Sequence, residues 1–243
     1  MESLRGHVDE NMGRHIRLII TALSYEADLI VFPELSLTGY EPGLSKTLAT
    51  HQDDKRFDIF QVISDTENIC ICSGIPTNGS SGILISMLVF QPGLPRQSYS
   101  KRFLHADELP FFVQGGKQLY IETDTKRIAP AICYESLLPE HAEEVFENGA
   151  EVYLTSVAKS AKGVAKAHKH YANTAKKYGM PVIMSNCIGF CDNFESAGKS
   201  AIWNKNGQQI GSLNESNEGL LIFDTETEEI IRWTGLEKRP GTF

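Results

Sequence analysis

The chain has 243 residues, 41% hydrophobic and 22% charged, with a formal net charge of -8. A chain of that length buries roughly 70% or more of the surface its unfolded form exposes, so residues 1–243 are expected to form one domain around one sizeable core. The acidic balance argues against nucleic-acid binding, which draws its affinity from neutralising phosphates.

The opening stretch MESLRGHVDENMGRH carries no apolar signal core, and runs such as LIVF at 29–32 fall far short of the ~20 residues of a membrane helix. Neither export nor membrane insertion is expected. Met12, Ile16, Ile19, Ile20 and Leu23 recur at spacings of three and four, which predicts one apolar stripe on a helix. DLIVFPE follows as a strand covered on both faces, ended by Pro33, which has no N–H to donate. Glu34 is thereby placed at the C-terminal end of a strand, where open sheets carry ligand-contacting groups.

A weaker helical region is expected around 45–66. NICICSGIP and GILISMLVF read as strands joined by the turn-rich TNGSS, and QSYSKRF as a third, short strand. KQLYIETDT reads as a strand that turns at Lys126 and Arg127 into RIAPAICYE, with Cys133 closing the apolar run. Pro139 opens a helix through Asn148, stopped by Gly149. EVYLTSV is a strand, 164–178 a helix ended by Gly179, and PVIMSN the next strand. Short strands then alternate with turns through KSAIW, QQIGSL and GLLIFDTETEEII, with Asn206–Gly207 expected as a type I′ hairpin turn. Helices interleaved with strands predict an α/β fold, and the adjacent hairpins favour two mixed β-sheets face to face with helices outside. No GxGxxG or GxxxxGK[ST] supports a nucleotide-binding reading.

Three residues have the chemistry for catalysis. Cys133 lies where a strand gives way to a turn, a junction that can aim backbone N–H groups at an anion. Taken alone, a cysteine there is also a natural core filler. Glu34 offers a base; its bland alternative is a turn cap or a solvated carboxylate. Lys101 offers a fixed positive charge, against the alternative of a solvent-facing strand lysine. The five cysteines, at 70, 72, 133, 187 and 191, show no framework spacing and read as free thiols of a reducing, cytoplasmic compartment, with Cys70 and Cys72 on one strand face as core residues. Cys187 and Cys191 with His168 and His170 lack the spacing of a structural zinc site, so no metal is expected. Lys159, Lys162, Lys166, Lys169, Lys176 and Lys177 read as a solvated helix face with its flanking loop, or in part as an anion-binding mouth.

VFPELSLTGY at 31–40, YSKRFLHADE at 99–108 and ICYESLLPE at 132–140 together resemble the three signatures of the nitrilase, or carbon–nitrogen hydrolase, superfamily. The resemblance continues through SNCIG at 185–189 and GKSAIWNKNG at 198–207. It implies a four-layer α-β-β-α sandwich, dimerisation through the helical layer with possible higher homo-oligomers, and no cofactor. It also implies a catalytic set: Glu34 as general base and acid, Cys133 as nucleophile, Lys101 with the backbone N–H of Tyr134 as oxyanion donors, and Glu108 as the second glutamate that binds Lys101. Tyr40, Phe112, Glu135, Val157 and Ala158 are the candidate pocket residues, with Phe111 and Phe112 near the mouth.

The implied reaction is hydrolysis of a small-molecule amide or carbamoyl bond through a cysteine thioester. CYE after the strand, in place of CWE, favours an amidase over a nitrilase. Acyl transfer from the same thioester and a catalytically silent binding protein are the alternatives. Relatives that act on acidic amides often carry an arginine where this chain has Ser136 and Leu137. Members of the superfamily also open with a strand ahead of the first helix; only about eleven residues, without an apolar run, precede the helical stripe here. A first strand therefore looks absent, with reduced stability, association or cover by another segment as the expected consequence.

Overall fold

The computed structural model describes residues 1–235. Its elements in chain order are α1 (Val8–Leu23), β1 (Leu29–Val31), α2 (Ser45–Leu48), α3 (Asp58–Glu67), β2 (Cys70–Asn78), β3 (Ile83–Phe90), β4 (Gln97–Ser100), β5 (Ile121–Glu122) and β6 (Arg127–Ile132). There follow α4 (Pro139–Glu147), β7 (Val152–Val157), α5 (Ala161–Tyr178), β8 (Val182–Asn186), β9 (Ile188–Cys191), β10 (Phe194–Ala197), β11 (Ala201–Trp203), β12 (Gln209–Ser212), β13 (Gly219–Phe223) and β14 (Ile230–Thr234).

Two mixed sheets form, one in the order β1-β2-β3-β4 and one in the order β12-β11-β8-β7-β6-β5. β1 runs parallel to β2, and β6, β7 and β8 are mutually parallel; the remaining pairs in these sheets are antiparallel. Strand alternation sends side chains to opposite faces, and three apolar layers result. Ile71, Ile75, Leu88 and Phe90 pack beneath Leu18, Ile19 and Ala22 of α1 and Phe60 of α3. Cys70, Cys72, Ile85, Met87 and Val89 meet Ile128, Ile132, Val152 and Leu154 of the other sheet. Ala129, Ala131, Tyr153 and Val182 pack beneath Ala142 and Val145 of α4 and Ala167, Tyr171 and Ala175 of α5. The layers therefore run helix, sheet, sheet, helix, as the sequence predicts.

Several elements differ from expectation for identifiable reasons. On α1 the buried positions are Val8, Asn11, His15, Leu18, Ile19 and Ala22, while Ile20 is exposed. The helix is rotated because two polar residues turn inward to hold the loop after β1. Gly74 N–H donates to Ser36 Oγ (3.2 Å), Ser36 Oγ contacts His15 Nε2 (2.9 Å), and His15 Nδ1 contacts the Asn11 carbonyl (2.7 Å). Asn11 Nδ2 donates to the Leu37 carbonyl at 3.0 Å. Gly74 is required at that crossing, since a Cβ there would stand 2.4 Å from Leu35 N.

The helical region at 45–66 divides into α2 and α3, because Thr50 leaves the helical path to bridge Thr77. KQLYIETDT shortens to the two residues of β5; Gln118 instead bonds the Pro130 carbonyl through its side chain. The Asn206–Gly207 turn is not type I′. Of the two residues only Gly207 has positive φ (78°), and its N–H donates to the Asn204 carbonyl, as in a type I turn closed by a left-handed glycine. GLLIFDTETEEII is a hairpin, β13–β14, and a further hairpin, β9–β10, follows β8.

β1 lies at the edge of its sheet. Residues before α1 join neither of the two main sheets; Glu2 makes a single bridge to Ile188. The β13–β14 hairpin stands across from the open edge, with Leu220 and Trp233 against the α1 core and Glu218 paired to Arg17 at 2.8 Å. A groove of ≈ 520 Å³ remains between them, lined by Leu29, Ile30, Val31, Leu220, Leu221 and Phe223 among others. No helix of the described residues is long and apolar enough to cross a membrane.

Burial holds His15 neutral, its pKa lowered to about 3. The unfolded chain takes up a proton near 6.5 that the folded one refuses, so this residue's stabilisation is complete above about 6.5 and fades as pH falls toward about 3. Replacing His15 by Gln should flatten that part of the stability profile. Urea unfolding midpoints across the same pH range measure this; identical slopes for variant and wild type would contradict it.

Candidate active site

Three strand ends converge between the sheets. Lys101 follows β4 directly, Cys133 follows β6 directly, and Glu34 lies three residues beyond β1. Lys101 Nζ donates to Glu34 Oε1 at 2.8 Å and to Glu108 Oε1 at 2.6 Å, and all three side chains are at most 2% exposed. Glu108 is fully engaged: Tyr40 Oη donates to its Oε1 at 2.9 Å and the His105 N–H to its Oε2 at 2.8 Å. Glu34 is not. Its Oε2 is buried without a hydrogen-bond partner.

The electrostatics follow from that geometry. Burial raises the Glu34 carboxyl above its ordinary range, Lys101 opposes the rise, and Glu108 adds to it. A contact with the Cys133 thiol is a smaller opposing influence, although sulfur and Oε2 do not meet within hydrogen-bond limits. Burial alone would lower the Lys101 ammonium, yet Glu34, Cys133 and Glu108 together raise it. Lys101 is thus a permanent cation. Burial and Glu34 push the Cys133 thiol up to about 11 against Lys159 and Lys101, so it rests protonated.

Cys133 takes a left-handed backbone conformation with φ 51°. A non-glycine residue there costs of order 1–3 kcal/mol and persists only where the surroundings enforce it. The enforcement is visible. Cys133 N–H donates to the Ser156 carbonyl at 3.0 Å, and its own carbonyl accepts from Ser136 N (3.2 Å) and Ser136 Oγ (2.5 Å). The next N–H, of Tyr134, donates to no group among the described residues. As a residue Cys133 is partly exposed, whereas Glu34 and Lys101 are sealed.

Of the pocket candidates, Tyr40 and Ala158 stand at the site. Tyr40 reaches Glu108, and the Ala158 carbonyl lies 3.8 Å from Cys133 Sγ. Both carboxylate oxygens of Glu135 are taken up by donors within the protein. They accept from Ile132 N (2.7 Å), Tyr99 Oη (2.7 Å), Arg102 N (2.6 Å) and Phe103 N (3.2 Å), fastening the Lys101 loop to the Cys133 turn. Val157 belongs to the α4–α5 core and Phe112 to the layer between the sheets, so neither forms a free wall; Phe111 is exposed.

Lysine at 159 was legible only as one of a run. Lys162, Lys166, Lys169, Lys176 and Lys177 are exposed, as a solvated face should be, but Lys159 is buried and its Nζ lies 3.5 Å from Cys133 Sγ. His168 packs edge-on against Trp203. Cys187 and Cys191 sit 3.5 Å apart in a small apolar cluster with Ala158, and no group of His, Cys, Asp and Glu among the described residues could hold a metal.

A two-sheet sandwich with thiol, carboxylates and ammonium gathered at its strand ends defines a class of cysteine-centred α/β proteins. The carbon–nitrogen hydrolase family model matches residues 2–234, and the chain belongs to that family. Among curated proteins it is 25% identical over 220 residues to a Staphylococcus aureus protein described as "Hydrolase in agr operon", covering 86% of this chain and 82% of that one. It is 26% identical to the glutamine-dependent NAD(+) synthetase of Aquifex aeolicus, covering 96% of this chain and 42% of that one. The fold matches the amidase of Nesterenkonia sp. AN1, solved as a cysteine-to-alanine mutant with butyramide, with TM-score 0.81, 19% identity, and 89% and 85% of the two chains covered. It also matches a Xanthomonas campestris CN-hydrolase superfamily protein with an arsenic adduct in its active site, with TM-score 0.78, 20% identity, and 96% and 87% covered.

The wild-type thiol should titrate near about 11, and Glu34→Gln should bring it down by removing the negative neighbour. The difference in thiolate ultraviolet absorbance between each protein and its Cys133→Ala counterpart reports this. An unchanged or higher titration in Glu34→Gln would contradict the arrangement.

Proposed function

We propose that the protein hydrolyses the carbon–nitrogen bond of a small linear amide through a thioester on Cys133. Glu34 takes the thiol proton as sulfur attacks the carbonyl carbon. The carbonyl oxygen becomes an oxyanion that accepts from Lys101 Nζ and the Tyr134 N–H, donors placed before charge develops and therefore effective in the transition state. Glu34 then gives the proton to the departing nitrogen, which leaves as ammonia or an amine. Water replaces it; Glu34 removes a water proton as the hydroxyl attacks the thioester, and returns that proton to the leaving sulfur. The acid product departs, and thiol and carboxylate are restored.

The observation that carries this reading is the buried Lys101 shared by two carboxylates beside a strained, partly exposed cysteine. Glu34 retains an unpartnered oxygen for proton transfer, whereas every oxygen of Glu108 is occupied. Division of labour between the two carboxylates follows: one moves the proton and the other holds the lysine. Family membership and the fold likeness to an amidase bound to butyramide support the same chemistry.

A screen of small primary amides for released ammonia tests the proposal. Cys133→Ala should abolish turnover while keeping the wild-type melting temperature, and persistence of hydrolysis in that variant would refute the mechanism. Because burial raises Glu34, the acid limb of kcat/KM should lie above the usual carboxylate value of about 4.3, activity falling as pH drops through it.

A further inference from the structure

We propose that Lys159 is the anion-binding residue of the substrate pocket, and that the amide cleaved at Cys133 carries a carboxylate one or two methylene groups from the scissile carbonyl. The proposal rests on the hydrolase reading above and narrows it to a substrate class.

Lys159 is built into its position. It falls between β7 and the Ser160 cap of α5. Its N–H donates to Asn186 Oδ1 at 2.9 Å. Its carbonyl accepts from Asn186 Nδ2 (3.2 Å), Ser196 Oγ (3.1 Å) and Ala197 N (3.0 Å). The clamp holds the backbone while the side chain runs inward, leaving the residue 6% exposed.

Its ammonium is poorly matched by the protein. Among the described residues it has no carboxylate within 4.0 Å, and its one hydrogen-bond acceptor is the Cys133 sulfur at 3.5 Å. Burial lowers its pKa, while the ionised forms of Cys133 and Tyr171, and Glu34, raise it for a net rise. Lys101 has two carboxylates for one ammonium; Lys159 has three donors and only a resting thiol. A buried ammonium with only a thiol beside it can still take a carboxylate as its partner.

The position also fixes reach. In the thioester, a carboxylate one or two methylene groups beyond the carbonyl stands roughly 3–5 Å from sulfur by ordinary bond lengths. An ammonium 3.5 Å from the same sulfur can meet it at charge-assisted hydrogen-bond distance. A carboxylate farther along the chain would overshoot. Ser136 and Leu137 supply no cation after Cys133, and Lys162, Lys166 and Lys169 point to solvent, so Lys159 alone among these faces the sulfur.

The test compares malonamate and succinamate with isovaleramide, a neutral amide of similar size, by kcat/KM for ammonia release. Wild type should prefer an acidic amide by about 10- to 100-fold, the range of one charge-assisted hydrogen bond. Lys159→Met should erase the preference and Lys159→Arg should keep most of it. Calorimetry adds a readout without turnover: malonate or succinate should bind Cys133→Ala protein and lose that binding when Lys159→Met is added. Turnover with equal losses on acidic and neutral amides, or a wild-type preference for isovaleramide, would overturn the anion site while leaving the hydrolase reading intact. Dicarboxylate binding that depends on Lys159, in a protein that hydrolyses no amide, would support the anion site and remove the hydrolase reading.

Discussion

Everything at the strand ends is organised around one buried ammonium with two carboxylates. Lys101 between Glu34 and Glu108 is a charge arrangement that water would tolerate anywhere and a protein interior tolerates only at close range. Removing the lysine would strand two carboxylates, and removing either carboxylate would change the charge that the sulfur feels. The surroundings hold the three groups fixed: Tyr40 and the His105 amide secure Glu108, while the Ile85 carbonyl receives the Lys101 N–H. Fixed charges of this kind are effective in catalysis because they need not reorganise when the transition state forms.

The fold supplies that rigidity through contacts between its two sheets. Ser156 on β7 donates to the Phe32 carbonyl and Ser185 on β8 to the Val31 carbonyl, so the end of β1 is tied to the opposite sheet just before Glu34. Glu135 binds four donors from the Lys101 and Cys133 segments. It is one residue beyond the Tyr134 amide, and its service is mechanical. Behind it, His141 lies between Tyr99 and Tyr153, neutral with its pKa lowered to about 4 by burial. A polar network this fully satisfied specifies one arrangement of the turn.

The sandwich was legible in the sequence because apolar runs mark strands buried on both faces, as in ICICSGIP and ILISMLVF, and because helical spacing marks α1 and α5. What local pattern could not reveal was orientation decided by distant partners. The α1 stripe turned because Asn11 and His15 serve the loop around Ser36. Glu135 resembled a pocket wall by its position beside Cys133, yet three of its four donors come from β4 and the turn after it. Lys159 was indistinguishable from the solvated lysines that follow it; Asn186 and Ser196, 27 and 37 residues away, determine that it points inward. A signal did exist in the break of periodicity, since Lys159 precedes the helix that carries the others.

The central claim is that Glu34, Lys101, the Tyr134 amide and Cys133 surround a single carbonyl. It is tested most directly by a crystal structure of the acyl-enzyme, trapped at alkaline pH with an activated ester, whose leaving group needs no proton from Glu34, in a Glu34→Gln variant that cannot activate water. The account predicts continuous density from Cys133 Sγ to the acyl carbon, with the acyl oxygen within hydrogen-bond distance of both Lys101 Nζ and the Tyr134 N–H. An adduct on another cysteine, or an acyl oxygen turned away from both donors, would contradict it.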